Sequence, residues 1–276
     1  MINGLTDVIA HIGFPTHSFK APLIYNPYFE REGINTVVVP MGCQSVDYPA
    51  FLRAVFTLTN IRGALITMPH KVTTVGLMDV VTPTVKVAGA CNAVRRLPDG
   101  RLMGDMFDGV GFVRGVQRKG MQLQGARVLV VGCGGVGCAI AASLAAAGVA
   151  RVTLFDTQTA ACDALGSRIQ QEYPDVEVVT GRNDPAGHDL VVNATPMGMN
   201  DGDPLPMDVS RLSPDTFVGE VVMKTEMTAF LRAAQARGCK VQIGTDMLFE
   251  QIPAYLEFFG LPTTTAETLR EVARLG

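Results

Sequence analysis

The chain has 276 residues, long enough for two domains of ordinary size. Hydrophobic residues make up 47% and charged residues 18%, which supplies material for buried cores and excludes a disordered chain. Lys and Arg total 23 against 26 Asp and Glu, a net charge of -3 with no basic block, so the electrostatic footprint of a nucleic-acid binder is absent. Mean hydropathy is +0.24, yet no apolar run reaches the roughly 18 residues that a membrane span needs. The longest, residues 138–149, is Ala-rich and reads as a buried helix. No basic stretch precedes an apolar one at the start, so no secretory leader is expected. The six cysteines, Cys43, Cys91, Cys133, Cys138, Cys162 and Cys239, form no CxxC pair and no zinc spacing. Reduced, buried thiols in a cytoplasmic protein and no metal are the expectation. His11, His17, His70 and His188 are read as packing or surface residues.

In chain order, residues 37–39 are a β-branched run that Pro40 ends, and 48–59 carry apolar residues at helical spacing. Residues 63–67 read as a strand stopped by Met68-Pro69, and 71–79 as a short helix. Strands at 91–97 and 102–106 flank Pro98-Asp99-Gly100, a hairpin signature. Residues 108–120 are helical up to a glycine. From there strands (128–131, 151–155, 176–180, 189–194, 218–222, 240–243) alternate with helices (135–147, 160–172, 227–237). The first of these strands is continuously apolar, as in a parallel sheet covered on both faces. The alternation predicts a doubly wound α/β domain. Segments 246–259 and 265–275 form a helical tail with no strand of its own, expected to pack back on the first domain. The expected division is 1–108, 109–244, and a returning 245–276.

Gly132-Cys133-Gly134-Gly135-Val136-Gly137 is G-x-G-x-x-G, placed after an apolar strand and opening a helix. The first glycine permits the tight turn, the second lets backbone approach a pyrophosphate, and the third lets helix pack on strand. The helix N-terminus offers its free N–H groups to the phosphates. Asp156 ends the next strand, where an acid binds the adenosine ribose. A carboxylate there accepts from a 2′-hydroxyl and repels a 2′-phosphate. The following Thr157, Gln158 and Thr159 bring no positive charge, so NAD rather than NADP is the expected cofactor.

Outside that half, polar residues stand at element ends: Thr67 before Met68-Pro69-His70-Lys71, Asn92 within Ala90-Cys91-Asn92-Ala93-Val94, Asp108 at the domain junction, and Gln251 in the tail. Singly, each has an ordinary explanation. Asn and Thr satisfy turns, Lys71 is solvated, and Asp108 caps the helix that follows.

Together with their surroundings they resemble the shikimate dehydrogenase family over nearly the whole chain. The matching segments are HIGFPTHSFKAPLIYNPY (11–28), GALITMPHK (63–71), GACNAV (89–94), GDMFDGVG (104–111), the glycine loop, VNATPMGM (192–199) and GTDMLFEQ (244–251). The resemblance implies an N-terminal α/β domain for a hydroxylated cyclohexene carboxylate, a C-terminal Rossmann-type doubly wound NAD(P)-binding domain, and a cleft between them. A monomer or homodimer without nucleic-acid or membrane partners is the expectation. Lys71 corresponds to the family's catalytic lysine and Asp108 to its catalytic aspartate. Thr67, Asn92 and Gln251 match substrate-binding positions, and Ser18 the first serine of a carboxylate-binding HS-x-S-P motif. Asn193, Ala194, Thr195 and Met197 resemble the strand end beside the cofactor. Gly244 and Met247 resemble the segment at the nicotinamide. A Lys–Asp pair on the reacting hydroxyl can take up its proton while a nicotinamide accepts the hydride.

Departures from the family pattern concentrate on the substrate side. Phe19-Lys20-Ala21-Pro22 follows Ser18, so the second serine is missing and Lys20 is a candidate to supply charge to the carboxylate. Leu65 stands where the family has Asn, Ala93 replaces Thr, Met106-Phe107 replace Asn-Thr, and Met223 replaces a Tyr. The expected activity is therefore oxidation of shikimate to 3-dehydroshikimate or of a close analogue, quinate or an amino-substituted shikimate, by a divergent paralogue. A non-catalytic NAD-dependent sensor of the same fold, and another two-domain NAD enzyme such as a methylene-tetrahydrofolate dehydrogenase, are the alternatives.

Overall fold

The computed structural model describes residues 2–275, without the side chain of Ser18. The chain divides into two compact units, one drawn from Met1–Val85, Gly89–Phe107 and Ile252–Gly276, the other from Lys86–Ala88 and Asp108–Gln251.

The first unit starts with β1 (Asp7–Gly13), α1 (Pro22–Glu32), β2 (Thr36–Gly42), α2 (Tyr48–Val55), β3 (Ile61–Ile66) and α3 (Lys71–Val75). It continues with β4 (Val80–Val81), α4 (Pro83–Ala88, whose last three residues fall in the second unit), β5 (Ala93–Arg96) and β6 (Leu102–Asp105). The sheet order is β2-β1-β3-β5-β6-β4. β1 lies between β2 and β3, parallel to both, which explains its buried run Ile9-Ala10-His11-Ile12-Gly13. The β5–β6 hairpin is antiparallel, as its turn sequence predicts.

β2 does not stop at Pro40. It runs on to Gly42, because β2 is an edge strand and a proline there forfeits no ladder bond. β1, α1, β4 and α4 were not anticipated. α1 begins with Pro22 at its first position and ends at Gly33 in the left-handed region (φ 68°), but its apolar residues make no clear stripe. β4 is only two residues long, too short for any periodicity.

The second unit contains α5 (Asp108–Arg118), β7 (Arg127–Val131), α6 (Gly135–Ala146), β8 (Arg151–Phe155), α7 (Thr159–Glu172), β9 (Glu177–Thr180), β10 (Leu190–Asn193), β11 (Phe217–Glu220), α8 (Ala229–Ala236), β12 (Val241–Gln242) and α9 (Gly244–Glu250). Its sheet is parallel throughout, in the order β9-β8-β7-β10-β11-β12. Counted from β7, that is the 3-2-1-4-5-6 order of the dinucleotide-binding fold. α6 is apolar all round, and every residue from Gly137 to Ala145 is buried.

The tail is not one block. α9 stays with the second unit, because Gly111 has no side chain and α5 can approach the Met247 carbonyl oxygen, 2.5 Å from where a Cβ would lie. α10 (Ile252–Phe258) and α11 (Ala266–Val272) join the first unit. There the Arg95 guanidinium donates to the Phe258 carbonyl (2.9 Å) and lies 4.8 Å above the Phe258 ring. Phe107 packs edge-on against Tyr255 at 4.8 Å. The six cysteines are free thiols and buried. Distant in sequence, Cys133 and Cys162 bring their sulfurs to 3.4 Å, and the Cys138 thiol donates to the Cys133 carbonyl (3.2 Å). Among the described residues no helix is long and apolar enough to cross a membrane, and no group of three or more His, Cys, Asp and Glu could hold a metal.

Candidate active site

β7 delivers the chain to Gly132, whose φ of 104° suits only glycine. A Cβ there would also lie 2.8 Å from the Ala194 carbonyl carbon. Gly137 meets the same loop from the helix side, where a side chain would collide with the Gly132 carbonyl oxygen. Gly134 and Gly135 are exposed, with nothing within 4 Å of a virtual Cβ. Gly134 caps α6 in an extended conformation with no side-chain hydrogen bond, so the first N–H groups have no side-chain acceptor. That combination fits a phosphate group.

β8 delivers Asp156 to the other side of this loop. Its carboxylate accepts from the Cys133 N–H (2.8 Å) and the Gln158 N–H (2.9 Å). Those backbone donors, Gln158 foremost, hold its carboxyl below the usual carboxylate range. A cleft of about 460 Å³ opens here at the switch between β7 and β10, lined by Gly132, Gly134, Asp156, Ala194, Thr195 and Met197 among others. No Lys or Arg lines it among the described residues.

Half of the expected cofactor set thus meets in one cleft. Gly135, Val136 and Gly137 shape the helix start behind it. Asn193 is fully buried and staples the neighbouring loop: its Oδ1 accepts from the Thr195 N–H (3.1 Å) and hydroxyl (2.6 Å), and its Nδ2 donates to the Met197 carbonyl (3.0 Å). Gly244 and Met247 lie in α9 and are not among the residues that line this cleft. Gly244 is required because a side chain would strike the Val222 carbonyl.

In the first unit, Thr67, Lys71 and Asn92 gather at the end of β3. The Thr67 N–H donates to the Ile12 carbonyl (3.0 Å), the Ile66 N–H to the Asn92 carbonyl (2.8 Å), and the Cys91 N–H to the Lys71 carbonyl (2.9 Å). Asn92 is 1% exposed, and its Oδ1 accepts from the Phe107 N–H (2.9 Å). Lys20 is exposed, and the Ser18 side chain lies outside the described residues. Asp108, buried, is the first residue of α5. Gln251 follows α9, and its buried Oε1 has no hydrogen-bond partner among the described residues.

His11 in β1, read from the sequence as a packing or surface residue, is buried and is taken up below, and buried Glu220 escaped the sequence reading. Glu220 ends β11 beside Asn193 in the parallel ladder and accepts from the Thr228 hydroxyl (2.9 Å). An acid closing an apolar strand was the only signal for it. Burial raises its carboxyl from 4.5 to about 7, although Thr228 and Asn193 act against the shift. Folding therefore binds a proton here. Stability contributed by the neutral acid is complete below about pH 4.5, falls as pH rises towards 7, and is flat above it. At roughly 1.4 kcal/mol per unit the loss is on the order of 3 kcal/mol. Glu220→Gln should remove this contribution, so between pH 5 and pH 8 in urea the wild type should lose on the order of 3 kcal/mol relative to the variant.

A parallel six-stranded sheet with a glycine loop and an acid at its switch point defines a nicotinamide-nucleotide-type Rossmann unit joined to a second α/β unit. The chain belongs to the shikimate dehydrogenase family. A family model described as the shikimate dehydrogenase substrate binding domain matches residues 12–94, and one described as the ThiF family matches residues 113–166. The shikimate dehydrogenase (NADP(+)) of Rubrobacter xylanophilus is 34% identical over 254 residues, 91% of this chain and 89% of that protein. Quinate dehydrogenase from Corynebacterium glutamicum in complex with NAD superposes with a TM-score of 0.85 at 31% identity, covering 97% of this chain and 98% of that one. Shikimate 5-dehydrogenase from Listeria monocytogenes in complex with shikimate and NAD gives 0.91 at 25% identity, covering 98% and 97%.

Proposed function

We propose that the chain is an NAD-preferring oxidoreductase that reversibly oxidises the ring hydroxyl of shikimate, quinate or an amino-substituted shikimate to the ketone. The observation that carries this is the 34% identity to a shikimate dehydrogenase along nine-tenths of the chain. The nicotinamide would accept the hydride. Lys71 and Asp108 would handle the hydroxyl proton, taking it up in oxidation and returning it in reduction. Thr67, Asn92 and Gln251 would hold ring hydroxyls, and Ser18 and Lys20 the carboxylate. The buried free thiols suit the cytoplasmic setting expected from the sequence.

NAD is preferred here although the curated relatives' names specify NADP(+). An ionised Asp156 faces the cleft, and among the described residues no basic side chain lines it to receive a 2′-phosphate. Assays with NAD and NADP, each with shikimate, quinate and aminoshikimate, test the whole reading. A higher kcat/KM with NADP would overturn the cofactor assignment, and no turnover of any acid would overturn the activity. Asp156→Ala should shift the NAD/NADP ratio of kcat/KM towards NADP by about ten- to a hundredfold, the size of a charge-assisted hydrogen bond.

A further inference from the structure

Beyond the ion-paired Asp7 at its start, β1 carries one polar side chain, His11. It is 8% exposed, and its Nδ1 is buried without a hydrogen-bond partner among the described residues. Nδ1 is thus sealed, and Nε2, which is not among the sealed atoms, is the ring nitrogen left to meet a ligand. In the parallel ladder His11 stands opposite Leu65 of β3, so the two side chains share a face of the sheet. Two residues on, Gly13 and Thr67 occupy the same face, so close that a side chain at Gly13 would run into the Thr67 methyl group. The Phe19 ring covers the imidazole, centroid to centroid 4.1 Å at a tilt of 30°. Lys71 is near enough for its charge to act on the ring. This is the carboxyl end of the parallel strands β1 and β3, where open α/β sheets hold their ligands.

The chemistry of the face narrows the ligand group. Burial, and then the charge of Lys71, lower the imidazole to about 4, so it is neutral at neutral pH. It therefore offers one N–H donor and one bare nitrogen, the complement of a hydroxyl, and no charge for a carboxylate. Leu65 opposite offers no hydrogen bond. Hydrogen-bonding capacity on this stretch of the face rests on His11 and Thr67.

We propose that His11 is a specificity-determining residue whose imidazole hydrogen-bonds a ring hydroxyl of a polyhydroxylated cyclic acid held at Thr67 and Lys71. The inference rests on the functional reading above and adds to it the group that selects the hydroxyl pattern.

The test uses His11→Val, which suits a buried strand, and His11→Gln, which restores a neutral donor and acceptor. The assay acid is whichever of shikimate and quinate the wild type turns over with the higher kcat/KM. His11→Val should raise KM for that acid about tenfold or more, with kcat within about threefold and the NAD dissociation constant unchanged; losing one hydrogen bond to a buried partner is of this size. His11→Gln should recover part of the loss. In the wild type, the His11 ring nitrogen resonances should move when the same acid is added to the NAD-loaded protein. An unchanged KM in His11→Val, or ring resonances that stay still while the acid is being turned over, would overturn the proposal. A lower melting temperature with normal KM marks a purely structural role and overturns it as well. Failure of the wild type to turn over either acid is the separate outcome that sinks the functional reading, and the role of His11 falls with it.

Discussion

Replacing Lys71 by Ala should lower kcat by a factor of about 10² to 10⁴, the range in which a positioned proton-transfer group contributes. The dinucleotide dissociation constant should hardly change, because Lys71 belongs to the first unit and the glycine-loop cleft is built within the second. Asp108→Asn should do comparable damage, since the amide keeps the shape and loses the proton acceptor. The double variant should be little worse than the worse single one, as residues serving one proton transfer lose their function together. If Asp108 only starts α5, Asp108→Asn instead costs at most about 1 kcal/mol of stability and leaves turnover intact. Melting temperature and kcat measured on the same Asp108→Asn sample separate these outcomes. Near-normal turnover in either single variant would remove the catalytic assignment of that residue, whereas absence of turnover in the wild type would favour a nucleotide-dependent sensor.

Gly137→Ala should damage folding, while Gly134→Ala should damage binding alone. At Gly137 the new methyl group would collide with the Gly132 carbonyl oxygen and lies 3.3 Å from the Ala194 side chain. Helix α6 must then withdraw from β7, at a cost near the upper end of overpacking, about 3 kcal/mol. Part of the glycine loop moves with it, so dinucleotide affinity falls too. At Gly134 a methyl group meets nothing within 4 Å, and φ is an unstrained -74°. Its stability should be unchanged, but the methyl stands where a pyrophosphate would approach the backbone. Thermal melts with and without NAD distinguish the two. Both variants should lose the NAD-induced rise in melting temperature, and only Gly137→Ala should melt lower without ligand. A Gly134→Ala protein that binds NAD normally would remove the loop from the phosphate site.

The legible part of the second unit was the part written in local pattern. Most strands from β7 to β11 carry a short apolar run bounded by turn residues, and helices α6 to α8 have a stripe or small-residue composition, so type and order could be read residue by residue. The glycine loop was readable because G-x-G-x-x-G followed by an acid about twenty residues on reflects backbone geometry, and backbone geometry is local. In the first unit local pattern was weaker. β1 carries a histidine among apolar residues, α1 has no clear apolar stripe, and β2 runs through Pro40 because it lies at an edge, a fact of sheet order that no window of sequence contains.

The amino-acid sequence by itself determined the two-part α/β plan, the dinucleotide loop and the family. Those depend on periodicity, glycine placement and motif order along one dimension. Only the tertiary structure decided which residues meet. Asn193 serves as a loop staple, Glu220 is buried with its carboxyl raised to about 7, and the Cys133 and Cys162 sulfurs lie 3.4 Å apart. The helical tail divides at Gln251, with α9 in one unit and α10 in the other. His11, read from the sequence as a packing residue, stands across the ladder from Leu65 and within reach of the charge of Lys71. Burial and cross-strand partners are properties of chain segments far apart in sequence, and they set both the protonation state of a side chain and the ligand it can hold.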